Sequence, residues 1–388
     1  MERVTSGLVT PSHSHRFTVD APGAGQVELE DCLRKTGSDT LVVIRSADAL
    51  MLTPEAKTLA GFSYTPFAFG EVCSRLASNL SSFLYDLSGS ATTRSTRRPQ
   101  LTPDMQQAIR IFNDMVRLRF SAFRGWRMVL DPVAKSIEGI VGTRYCFLPN
   151  LDFYQMCCEH MYQGSEYMFS EAMLTGRRFM LRFRAMDRAF ALPTPGAVYE
   201  PFYYGRHFYN SESGDAAVNM SAYAQRRWGN SCSLSTRDTA NQVHHLSRVE
   251  FDKRLVKLFE GVAGLDTKLT PLYGALLQSK RSPLGIYDAC GNRTRLCGTL
   301  LRDMYRHRVF AQAAERVIRM AVVQGSYKAD ATNESCSTRV VYDLYTALTT
   351  VAKDEPLEDR LAMEQLAHRL VCDNILGLLK GATSGKSS

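Results

Sequence analysis

The chain has 388 residues, 45% of them hydrophobic and 22% charged, with a formal net charge of +8. That apolar share suits a sizeable core and excludes a disordered chain, and no run of 18 apolar residues offers a membrane-spanning helix. The basic excess fits a nucleic-acid partner without requiring one.

The N-terminal stretch "MERVTSGLVTPSHSHRFTVD" has no apolar core of signal-peptide type. The ten cysteines are scattered and none has CxxC spacing, so a reduced, intracellular protein with packed thiols is expected. Residues 1–25 read as a flexible leader, and 381–388 as a disordered tail. An N-terminal α/β segment follows over 26–93. In it "DTLVVIRSADALMLT" reads as a short strand and turn, and "TPFAFGEVCSRLASNLSSFLYDL" as one helix over 65–87, capped by Thr65 with Pro66 at its first position. "SGSATTRSTRRPQLTP" (88–103) is a polar, basic linker.

A mixed sheet core with helices is expected over 94–248. A helix runs from Asp104 to about Phe120. "GWRMVLDPVAKSIEGIVGTRY" reads as a hairpin turning at "DPVAKS", and "NLDFYQMCCEHMYQ" as a helix capped by Asn150. "GRRFMLRFRAM" (176–186) is the clearest strand, with Phe179, Leu181 and Phe183 alternating with Arg178, Met180, Arg182 and Arg184. The aromatic run at 197–214 and "AAVNMSAYAQRRW" (216–228) read as an antiparallel pair joined by "NSESGD", in which Gly214 can take positive φ. From Val249 to 380 the period is helical, with helices expected near 247–263, 268–279, 295–324, 339–353 and 357–380. The fold class is therefore α+β: a central, mainly antiparallel sheet with helices before it and a helical C-terminal third.

Four stretches resemble the phage/plasmid-like family classed as domain of unknown function 932. They are "AFGEVCSRLASNLSSFL", "WRMVLDPVAKSIEGIVGTRYCFLPN", "YNSESGDAAVNMSAYAQRRWGN" and "VVYDLYTALTTVAKDEPLEDRLAMEQLAHRLV", in family order across about 60–375. Asn210, Ser211, Glu212, Gly214 and Asn230 fall on its motif positions, although "WGNS" replaces a "C.NG" and Thr346 replaces an asparagine. The resemblance implies an origin in a phage, plasmid or similar mobile element and no particular reaction.

The residues themselves suggest an anionic partner. Arg178, Arg182 and Arg184 would project from one sheet face at about 7 Å intervals, a spacing suited to phosphates, with Tyr203, Tyr204 and Arg206 on the neighbouring strand and Arg226, Arg227 and Trp228 ending the next. Arg124 and Arg127 close a basic run that begins at Arg94. The plain alternative is a wet sheet face whose arginines pair with Asp187, Glu200 and Asp215. No phosphate-binding glycine loop, HExxH or GxSxG occurs, and "CCEH" and His244–His245 lack ligand spacing, so neither a catalytic site, a metal nor a cofactor is expected. The expectation is a non-enzymatic binder of nucleic acid, single-stranded DNA favoured, acting in replication or recombination of a mobile element in a bacterial cytoplasm, as a homo-oligomer and without a membrane. A structural or protein-interaction factor is the alternative, and a metal-dependent nucleic-acid enzyme the third reading.

Overall fold

The computed structural model describes residues 9, 14–18, 24–37, 40–88, 103–162, 166–193, 199–226, 232–234, 242–243, 248–261, 267, 269–282, 284, 298, 302, 304–305, 311–326, 340–375 and 379. In chain order the elements are β1 (Ser14–Thr18), α1 (Ala24–Gly37), β2 (Leu41–Val43), β3 (Ser63–Tyr64), α2 (Pro66–Leu76), α3 (Leu80–Leu87), α4 (Pro103–Arg119), β4 (Arg127–Asp131), β5 (Ser136–Val141) and α5 (Asn150–Tyr162). Then come β6 (Tyr167–Thr175), β7 (Arg178–Pro193), β8 (Tyr199–Ser211), β9 (Val218–Arg226), β10 (Cys232–Leu234), β11 (Gln242–Val243), α6 (Arg248–Glu260), α7 (Thr270–Ser279), α8 (Ala311–Ser326), α9 (Val341–Val351) and α10 (Leu357–Cys372). This is the expected α+β class, with a mainly antiparallel large sheet and C-terminal helices.

The small sheet has the order β2-β4-β5-β3, antiparallel except where β3 runs parallel to β5. It draws strands from both sides of the expected boundary at 93/94. The β4–β5 hairpin turns where the sequence indicates, because Asp131 Oδ1 accepts from the N–H groups of Val133 and Ala134 at 2.9 Å and Lys135 takes φ 55°. Thr65 caps α2 as read, its hydroxyl accepting from the Ala68 N–H at 3.3 Å. The single helix expected over 65–87 is two, because Asn79 sits in the left-handed region at φ 61°, a conformation asparagine tolerates and most residues do not. Phe69 stacks on Phe112, with centroids 5.2 Å apart, and this pair anchors α2 and α4 over the sheet.

The large sheet has the order β1-β6-β7-β8-β9-β10, with β11 also paired to β9. Its first strand comes from the stretch read as a flexible leader: Ser14–Thr18 pair antiparallel with Glu171–Thr175. The period-2 pattern of β7 is realised. Phe179, Leu181 and Phe183 join Phe208, Met220 and Ala222 in a buried core shared with α1, α5 and the C-terminal helices. Each such aromatic contributes about 1.5–3 kcal/mol by leaving water. The opposite face, which carries the arginines, is expected from the sequence to be open, to nucleic acid or to water. It is instead covered by α10: Leu357 and Leu361 pack on Met173, Met180, Tyr209 and Tyr223. The linker at 89–102 and most of the helix expected over 295–324 before Ala311 lie outside the described residues.

Candidate nucleic-acid interface

The arginine face is a buried ionic cluster. Arg182 of β7 is 2% exposed, and its Nη1 donates to Glu171 Oε2 and Glu364 Oε1, each at 3.3 Å, while Nη2 also reaches Glu364. Arg360 grips Glu171 with both Nη atoms, at 2.7 and 2.6 Å, and donates from Nε to Glu364 Oε1 at 3.0 Å. Arg16 of β1 adds a third guanidinium, 2.6 Å from Glu171. Burial alone would raise the Glu171 carboxyl, but Arg360, Arg182 and Arg16 override it and hold it well below the usual carboxylate range. Arg182 therefore ties sheet to helix and presents nothing to a ligand. Its partners lie 11 and 182 residues away, which is why alternation alone reads it as surface.

The other expected contact residues on this sheet are also largely engaged. Arg178 pairs with Asp215 and, at 2.6 Å, with Glu358. Arg206 is 1% exposed and lies over the Tyr167 ring. Arg226 pairs with Glu200. Two of the three acids named as alternative partners, Asp215 and Glu200, do serve, whereas Asp187 stands exposed. Arg184 is half-buried above Tyr203, with Nη2 3.2 Å from Met168 Sδ, and Tyr204 packs against the core. Arg227, Trp228 and Asn230 lie outside the described residues, as do His244 and His245.

The "NSESGD" turn joins the two sheets. Asn210, fully buried, donates to Leu148 O at 3.0 Å and to Asn150 Oδ1 at 2.8 Å. Glu212 accepts the Asn150 N–H at 2.5 Å, so a carboxylate from this turn sits at the start of α5. Asn150 begins the helix as expected, but its side chain is spent on the joint: its Nδ2 donates to Arg177 O at 3.3 Å. Arg177 bridges the sheets, donating to Glu212 Oε2 at 3.2 Å and to Leu130 O at 2.5 Å. Burial nevertheless pushes the Glu212 carboxyl up to about 7, with Arg177 and the Asn150 N–H opposing. Ser211 and Ser213 share a 2.9 Å hydrogen bond, both reach Asp215, and Gly214 takes φ 82°. Gly139 of β5 meets this turn so closely that a Cβ there would collide with the Ser213 carbonyl. Tyr145 completes the joint, donating to Ser211 O at 2.8 Å. These motif residues build the joint between the sheets.

Exposed arginines gather beside this turn, at the Trp126 end of the small sheet. The Ile44 N–H bonds Trp126 O at 2.9 Å, which places Arg45 beside the start of β4. Arg127 pairs with Val141 in the hairpin register, and Gly142 lies against the Trp126 ring, which brings Arg144 to the same end. Arg119 ends α4 five residues before Arg124. Arg45, Arg119, Arg124 and Arg144 are exposed and form no ion pair among the described residues. Arg127 is half-buried and structural, donating from Nη2 to Gly142 O and Tyr145 O at 3.2 and 2.9 Å. Behind Trp126, Arg75 of α2 lies 3.5 Å from its ring centroid and 3.2 Å from Glu71 Oε2. Of these residues the basic run read from the sequence includes Arg119, Arg124 and Arg127, and not Arg45 or Arg144. Arg45 and Arg144 are about 100 residues apart in the chain, and only the β2-β4-β5 pairing brings them together.

Among the described residues no group of three or more His, Cys, Asp or Glu side chains is placed to hold a metal. Within "CCEH", Cys157 is buried, and burial raises the half-buried Cys158 thiol to about 11. No described helix is long and apolar enough to cross a membrane. No protein-family model, curated protein or solved structure matches the chain.

Proposed function

We propose that the chain binds nucleic acid at the Trp126 corner, as a binding rather than a catalytic protein, with single-stranded DNA preferred. The observation that supports it is the convergence of Arg45, Arg119, Arg124 and Arg144, exposed and without ion-pair partners among the described residues. Uncompensated surface charge of one sign is the electrostatic footprint of a phosphate-binding face. Arg45, Arg124 and Arg144 stand at the ends of three adjacent strands, so their backbones spread over about 10 Å. That suits a few successive phosphates of one strand and is well short of a duplex turn of about 34 Å. A strand held there by its phosphates keeps its bases open for pairing, which fits annealing during replication or recombination. The mobile-element setting and oligomeric assembly belong to the same proposal, and the setting rests on the four sequence stretches quoted above.

The test is equilibrium binding of the purified chain to a labelled single-stranded oligonucleotide and to its duplex, titrated with salt. Tight, salt-sensitive binding that favours the single strand is expected. Absence of binding at low salt would end the proposal and leave the structural or protein-interaction reading.

A further inference from the structure

Beside the arginine corner, where α2, the β4–β5 hairpin and the "NSESGD" turn meet, a cleft of about 300 Å3 opens. Phe67, Glu71, Arg75, Trp126, Tyr145 and Asp215 are among its lining residues. That volume is at the small end of ligand pockets, which span about 300–1,000 Å3, and suits one ring-sized group. Its polar inventory is uneven. Asp215 is saturated by Ser211, Ser213 and Arg178, and the Tyr145 hydroxyl is committed to Ser211 O and Glu212 O. Glu71 is different: Oε2 takes Arg75 at 3.2 Å, and Oε1 accepts no hydrogen bond among the described residues. The Arg75 guanidinium is held between that carboxylate and the Trp126 ring, 3.5 Å from the ring centroid. The cleft thus offers one planar cation backed by an aromatic ring, and one spare carboxylate oxygen beside it.

We infer that this cleft receives one unstacked base of the bound strand, a base that carries an exocyclic amino group. The base stacks on the Arg75 guanidinium, as unpaired bases do on arginine planes, and its amino group donates to Glu71 Oε1. Carboxylates accept in this way from the cytosine amino group. Thymine is disfavoured, because its one ring N–H lies between two carbonyl oxygens that would face the carboxylate. Trp126 and Gly142 border the cleft and also the arginine corner, so a strand whose phosphates lie on Arg124 and Arg144 passes the opening. The inference rests on the nucleic-acid reading above and adds to it a base preference and the residues that set it.

The experiment compares affinities of the full chain for short oligo(dC), oligo(dA) and oligo(dT), with Glu71→Gln measured alongside. Glu71 is 35% exposed on the surface of α2, so the substitution leaves the fold intact. The wild type is expected to bind oligo(dC) and oligo(dA) about tenfold more tightly than oligo(dT), the scale of one hydrogen bond to a charged group. In Glu71→Gln that ratio should narrow sharply, because the new amide can donate to thymine carbonyls. Equal affinity for all three oligomers in wild type and variant would overturn the base site while leaving the arginine corner standing. Failure of every oligomer to bind would overturn both.

Discussion

Substituting Glu171→Gln probes the buried cluster that closes the arginine face. Arg16, Arg182 and Arg360 surround Glu171, and Arg182 and Arg360 are also bonded to Glu364, fully buried on α10. Glutamine keeps the shape and one acceptor oxygen but removes the carboxylate charge from Arg16 and leaves the buried Arg182 and Arg360 sharing Glu364. Breaking a buried pair from one side costs about 3–5 kcal/mol, because the surviving charges cannot return to water. Urea unfolding at pH 7, followed by circular dichroism, should show a loss of that size. The pH dependence follows from the depressed Glu171 carboxyl. Its folded-state value lies below its unfolded one, so its contribution is complete above the ordinary carboxylate range and is lost as pH falls towards the folded value. The gap between wild type and variant should therefore be constant near neutrality and close below about pH 4. A loss under about 1 kcal/mol at pH 7, the worth of an exposed pair, would show that the cluster is solvated and that the sheet face is open after all.

Glu212 should show the opposite sign. Its folded-state value, pushed up to about 7, exceeds its unfolded one, so its contribution is full below about pH 4.5 and is lost as pH rises through 7. Wild type should lose stability relative to Glu212→Gln between about pH 5 and 8, and parallel stability curves would contradict the buried placement of this carboxyl. Gly139→Ala puts a methyl group against the Ser213 carbonyl. A loss of about 1–3 kcal/mol is expected by calorimetry or urea titration, and no loss would mean that the sheets are not docked through this turn. Gly205→Ala on β8 meets the Tyr223 ring and the Phe183 carbonyl and should cost a similar amount by the same assay.

Elements with a strong local signal were legible in the sequence. Thr65 and Pro66 mark the start of α2, Asp131 to Ser136 mark a hairpin turn, and Phe179, Leu181 and Phe183 mark a strand. The "NSESGD" turn and its hairpin were also readable, because asparagine, serine and glycine carry their turn chemistry locally. Two features were not. Strand periodicity says that Arg178, Arg182 and Arg184 share a face, but not whether that face meets water, since Glu171 and Glu364 reach Arg182 only after β6 pairs and α10 docks. The Trp126 corner escaped for a related reason. Arg45 and Arg144 are isolated arginines near strand ends, and their grouping depends on a register that no short window contains. Composition shows an excess of positive charge and not where it lies, because arginine serves equally well inside an ionic cluster and on a phosphate-binding surface.

The most direct measurement is the salt dependence of single-strand binding in a folded Arg45→Ala, Arg124→Ala, Arg144→Ala variant beside wild type. Each phosphate contact on a single strand adds about 0.7 to the slope of log affinity against log salt, so losing three should flatten it by about 2. A slope that falls by that amount, with affinity weakened similarly for every sequence, would place the phosphates on the Trp126 corner. A variant that binds with the wild-type slope would put the nucleic acid elsewhere or nowhere on this surface.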